Sequence, residues 1–161
     1  MCRSLLVLAV AGSLAWPLAL TAAESELADI VRERHEKFER MGEAFEDMER
    51  ESHRPEPDAG LLARNADQID TWAHEQLGWF PAGTGPEDGF KTKAKQEIWT
   101  DSERFNSLQT EFIAEAGKLK LIAAGGDASA IAAQVEKTGA VCSECHEVYR
   151  KQFSLFSIFG F

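Results

Sequence analysis

Residues 127–150 read DASAIAAQVEKTGAVCSECHEVYR. Asp127 is a good helix N-cap. Ile131, Val135, Thr138, Cys142, Cys145 and Tyr149 then recur at alternating steps of four and three. That spacing is the seam of an amphipathic helix in a bundle. Inside the seam lies Cys142-Ser143-Glu144-Cys145-His146, the Cys-x-x-Cys-His signature of c-type haem attachment. On a helix, Cys142, Cys145 and His146 stand at i, i+3 and i+4 and share one face. Two thiols so spaced can form thioether bonds to the two vinyl groups of one porphyrin, and the histidine can ligate its iron from the same segment. Motif and periodicity are separate signals, and they agree. One covalently bound haem c per chain is expected, held inside a bundle.

Other readings of the motif compete. A redox dithiol usually opens a helix close to a strand, and no strand pattern precedes this one. Zinc would need two or more further ligands at suitable spacing. A chance match is the remaining alternative.

Working outward, the preceding segment ends at Gly125-Gly126 and has Phe105, Leu108, Phe112, Leu119 and Ile122 on its inner side. Thr100 and Glu103 form a capping box at its start, with Ile98 and Trp99 before it as a staple. Residues 78–96 form a connector broken by Gly78, Pro81, Gly83, Gly85, Pro86 and Gly89. It carries Trp79, Phe80 and Phe90, so it should pack on something apolar, either a porphyrin edge or the bundle end. A second helix is expected from Asp58, its N-cap, to about Leu77. Leu62, Asn65, Ile69, Trp72 and Gln76 line it, and His74 lies off that seam as a solvated histidine. His53-Arg54-Pro55-Glu56-Pro57 is a loop.

The first helix is expected from about Ser25 to Ser52. Its seam is Leu27, Val31, Arg34, Phe38, Met41, Phe45 and Met48. Arg34 is the anomaly, a cation on an apolar stripe. A buried guanidinium is costly unless paired, and a haem propionate is a suitable anion. The alternative is that Arg34 reaches water along its stem. Four amphipathic helices with mostly short connections, and no strand alternation, predict an all-α fold, an antiparallel four-helix bundle.

The first 23 residues read as a secretory signal: Arg3, an apolar run from Ser4 to Leu20, and small residues at Thr21-Ala22-Ala23. The bundle domain would then be residues 24–161, in the periplasm. Cleavage removes Cys2 and leaves Cys142 and Cys145 as the only cysteines of the mature chain. A bridge across two intervening residues closes almost no loop, so a structural disulfide fits poorly. The net charge of −10 argues against nucleic acid, whose phosphates call for a basic face. It serves solubility first and could steer a basic redox partner protein.

Four stretches together resemble the cytochrome c′ family of class II c-type cytochromes, over nearly all of the mature chain. They are Arg34-His35-Glu36-Lys37-Phe38 with Met41-Gly42, the loop 79–85 (WFPAGTG), residues 94–99 (AKQEIW) with Phe105 beyond, and the attachment segment 142–150. The cytochromes c′ are a standard example of the four-helix architecture. The resemblance implies that Phe38 stands at the distal position, where low-spin members carry a ligating methionine. A phenyl ring has no lone pair, so five-coordinate, high-spin iron with His146 as its only protein ligand is expected. Met41, one turn on, or His35, one turn before, would be the sixth ligand of a low-spin electron carrier instead.

The resemblance further implies binding of nitric oxide and carbon monoxide past a Phe38 gate, and a homodimer through the first two helices. In some members of the family nitric oxide ends on the proximal face after displacing the histidine, and the resemblance places Arg150 near that proximal pocket; the plainer account is a cation favoured at a helix C-terminus. No acid–base or nucleophile constellation stands out, so turnover is not expected. The apolar tail from Phe153 to Phe161 has no counterpart in the resemblance and would be a large patch if exposed.

Overall fold

Capping and periodicity place the helices close to where the sequence puts them. The computed structural model describes residues 16–152. They form α1 (Trp16–Ser52), α2 (Ala59–Glu75), a single turn α3 (Glu97–Thr100), α4 (Ser102–Gly125) and α5 (Ala128–Tyr149). No strand occurs among the described residues, and one isolated bridge joins Ala94 to Arg150. Most of the expected signal segment and the tail 153–161 lie outside the described residues. α1 begins at Trp16 and runs without a break through the expected cleavage point near Ala23. No described helix is long and apolar enough to cross a membrane.

The long helices close a ring of contacts: α1 on α2, α2 on α4, α4 on α5, and α5 back on α1. The result is an antiparallel four-helix bundle. Met48, Leu62, Ile69, Leu119 and Ile131 are fully buried between the helices. Asn65 clips α2 to α1 by donating to the carbonyl of Ala44 at 3.3 Å. At Gly139 a Cβ would lie 3.2 Å from the Phe45 ring, so the missing side chain lets α1 close on α5.

The turns are chemically specific. Asp58 accepts from the Leu61 N–H at 2.9 Å, the expected N-cap of α2. Asp127 accepts from Ser129 and Ala130 at the start of α5. α4 ends at Gly126, whose φ of 74° is the left-handed conformation that glycine adopts without strain. Two expectations need correction. α2 stops at Glu75, and Gln76–Gly78 is a separate 3-10 turn. Thr100 is not the cap of α4: it closes α3, and Asp101 flanks α4 without any side-chain cap bond. The Asp101 carboxylate is engaged elsewhere, accepting from the Tyr149 hydroxyl at 2.9 Å.

The α1–α2 loop is folded around Glu51, which is 6% exposed. Its carboxylate accepts from the Asp58 backbone N–H at 2.8 Å and from Arg54 at 3.1 Å. Those bonds, the Asp58 N–H first, hold its pKa below the usual carboxylate value. A depressed pKa means stability present above the unfolded-state value and lost as pH falls through the folded-state value. Glu51→Gln should therefore lower the urea midpoint at neutral pH, and the difference from the parent should shrink towards about pH 3. Urea titrations at the two pH values check this.

Candidate haem site

The last turns of α5 carry the site. Cys142, Cys145 and His146 are all half-buried. Cys142 packs on the larger core cluster, with Phe38 and Phe45 of α1 and Phe80 of the connector at its margin. Cys145 packs on a second cluster of Ile98, Phe105, Leu108 and Tyr149. The motif therefore straddles the two halves of the core.

Electrostatics decide against a redox dithiol. Burial pushes the Cys142 thiol up to about 12 and the Cys145 thiol up to about 11, with the neighbouring Cys145 and Glu144 respectively adding to the shift. A reactive cysteine needs the opposite, a stabilised thiolate. The pair also sits near the C-terminal end of α5, where the helix dipole disfavours an anion. Among the described residues no group of three or more His, Cys, Asp or Glu gathers to hold a metal ion. His146 is pushed down, by burial first and then by Arg150. Its imidazole is thus kept neutral, the form that offers a lone pair to a metal.

Across from α5, the Phe38 ring is half-buried and meets Trp79 edge-on, with centroids 4.9 Å apart and planes at 87°. Phe80 lies 6.0 Å from Phe38 and continues the contact to Phe105 at 5.1 Å, which in turn meets Tyr149 at 5.1 Å. Met41 is 7% exposed in the same cluster as Phe38. His35 is not brought to this place. Its side chain is 54% exposed and pairs with Glu39 at 3.2 Å on the outer surface of α1. His74 is likewise exposed, 3.8 Å from Asp70. Arg150 is exposed at the end of α5, where its backbone N–H donates to the His146 carbonyl at 3.2 Å.

Arg34 does not reach water, which removes the alternative of a snorkelling side chain. It is 4% exposed, and burial brings its pKa down to about 10, still charged at neutral pH. Nη1 donates to the Trp79 carbonyl at 3.2 Å and to Thr84 Oγ1 at 3.0 Å. Nη2 donates to the Thr84 carbonyl at 3.0 Å and to Thr92 Oγ1 at 3.3 Å. The guanidinium also lies over the Phe80 ring, 4.7 Å from its centroid. Sequence reasoning missed Thr84 and Thr92 as partners. The available signal was the pairing itself, a core cation facing a glycine-rich loop that could turn carbonyls and hydroxyls inward.

A family model described as Cytochrome C′ matches residues 29–150. The chain belongs to the cytochrome c′ family. Cytochrome c′ of Rubrivivax gelatinosus is 32% identical over 95 residues, covering 59% of this chain and 72% of that one. A crystallographic cytochrome c′ with ligand-controlled dimer dissociation superposes with a TM-score of 0.72 at 27% identity, over 78% of this chain and 97% of that one. A nitric oxide complex of a variant of cytochrome c prime from Alcaligenes xylosoxidans gives 0.70 at 28% identity, with the same coverage. The cofactor of a cytochrome c′ is haem c, covalently bound, one per chain. The donor set fits that group: two thiols and a neutral imidazole share one face of α5, against apolar and aromatic walls.

Arg34→Met leaves the buried Trp79 and Thr84 carbonyls without their donor. The loss should be about 3 kcal/mol of stability, with faster proteolytic cleavage between residues 79 and 92. Arg34→Lys should recover only part of it, because one ammonium cannot span four acceptors. Urea unfolding and limited proteolysis of the haem-loaded protein measure both.

Proposed function

We propose that the chain is an exported, periplasmic cytochrome c′ in which Cys142 and Cys145 hold the haem and His146 is the only protein ligand of five-coordinate, high-spin iron. Nitric oxide and carbon monoxide bind on the opposite face, where Phe38 is the gate. The observation that carries this is the placement of Phe38. It stands in the cluster that Cys142 also borders, and its ring has no lone pair to offer a metal.

When bound, the haem would supply an iron able to take a diatomic ligand. The chain's own residues shape the rest. Phe38, braced edge-on by Trp79 and backed by Phe80, resists an incoming diatomic unless its ring swings aside, and it offers no hydrogen bond to one. Arg34 holds the aromatic connector over this face; a haem propionate there would share the guanidinium with Thr84 and Thr92. Arg150 places a positive charge beside His146 on the proximal side. Ligation rather than turnover is the activity. The nitric oxide complex of a similar protein supports this reading. Dimer dissociation in another relative supports a homodimer, through the first two helices. The acidic surface suits a basic redox partner protein and not nucleic acid.

One observation favours a second reading, a low-spin electron carrier. Met41 is buried in the same cluster, one turn beyond Phe38, and its thioether is a known axial ligand. The optical spectrum of the reduced protein separates the two. A broad high-spin spectrum that changes on adding nitric oxide is expected; sharp, split visible bands would show Met41 on iron. For the gate, Phe38→Ala should raise carbon monoxide affinity. Displacing a ring from its rotamer costs about 0.5–1.5 kcal/mol, which converts to about two- to tenfold. An unchanged affinity would show that Phe38 is not the gate.

A further inference from the structure

A helix leaves its last four carbonyls without intrahelical partners. In α5 these belong to His146, Glu147, Val148 and Tyr149. The first is satisfied locally, by the Arg150 N–H and Gln152 Nε2, each at 3.2 Å. The other three are all taken by one residue of the connector. Lys95 Nζ donates to the carbonyls of Glu147 at 3.2 Å and Val148 at 2.9 Å. The Lys95 backbone N–H donates to the carbonyl of Tyr149 at 2.9 Å. An ammonium at a helix C-terminus is also favoured by the dipole. The Lys151 N–H adds a bond to the Lys93 carbonyl at 2.7 Å, and the Tyr149 hydroxyl ties the same turn sideways to Asp101.

The connector that delivers Lys95 is itself held by Arg34. Thr92 Oγ1 accepts from Arg34 at 3.3 Å and from the Ala94 N–H at 3.1 Å, one residue before Lys95. Through these bonds the end of α5 is secured from α1, one turn from Phe38.

We infer that Lys95 is a positioning residue for His146: it clamps the turn of α5 on which the imidazole stands and so limits how far that imidazole can withdraw. This rests on the reading of His146 as the axial ligand. Lys95 acts through backbone carbonyls, not by touching the haem. With it in place the turn cannot fray without breaking three hydrogen bonds. Without it, two of those carbonyls turn to water and the turn loosens. Were nitric oxide to replace the histidine on iron, the imidazole would leave with its electron pair, so no oxidant or reductant would be needed.

The test uses the haem-loaded ferrous protein. In Lys95→Met the iron–histidine stretching band in resonance Raman should broaden and shift to lower frequency. Loss of histidine after mixing with nitric oxide should become about tenfold faster, the scale of a charge-assisted helix-end contact. Lys95→Arg should restore both readouts. Lys95→Gln, which keeps a donor without the charge, should fall between and serves if the methionine variant folds poorly. Lys118→Met, which removes an exposed lysine paired with Glu115, should change neither. A folded Lys95→Met or Lys95→Gln protein with an unmoved band and an unchanged rate overturns the inference. Absence of any iron–histidine band in the unsubstituted protein instead overturns the axial-ligand reading, and the inference with it.

Discussion

A guanidinium inside an apolar bundle is the constraint on which the rest depends. Arg34 is nearly excluded from solvent, and a desolvated cation must be matched by acceptors. Among the described residues no carboxylate is a hydrogen-bond partner of its guanidinium; the partners are the carbonyls of Trp79 and Thr84 and the hydroxyls of Thr84 and Thr92. Those groups can point inward only because the connector turns sharply, with Gly83 at a φ of 82° beside Thr84. The same turn brings the Pro81 carbonyl to Trp99 Nε1 at 3.1 Å and lays Phe80 under the cation. One charge thus orders a stretch that has little secondary structure of its own.

The second organising fact is that the attachment motif spans two core clusters. Cys142 borders the large one and Cys145 the smaller, three residues apart on the same helix. Both thiols are raised by burial, which disfavours the thiolate that disulfide exchange needs. The line of rings from Phe38 through Phe80 and Phe105 to Tyr149 joins the clusters. α1, the connector, α4 and α5 therefore meet around the same few side chains, and a change in any one is felt by the others.

Where the sequence misled, side chains had a stronger partner than the local one. Thr100 with Glu103 spells a capping box, and a capping box is a local bargain between neighbours. Asp101 sits next to it and is drawn to Tyr149, 48 positions away, and the helix starts one residue later than its signature, at Ser102. His35 stands three residues before Phe38 on α1, but its side chain is exposed and pairs with Glu39. Lys95 carried no local signal, because its role is defined by the carbonyls of a helix distant in sequence.

Much was nevertheless legible. Period-3.6 seams gave the four long helices and most of the core, since burial follows hydrophobic spacing directly. Asp58, Gly126 and Asp127 marked their ends through chemistry confined to a few residues. The Cys-x-x-Cys-His motif named the cofactor because thioether bonding and ligation need only those side chains on one face. What only the tertiary structure decided was the partnering of polar groups across the bundle: which acceptors hold Arg34, which carboxylate Tyr149 seeks, and which residue closes the end of α5. Hydrogen bonds are directional and short-ranged, so their partners follow from where the folded chain brings donors and acceptors together, and no periodicity along the chain records that.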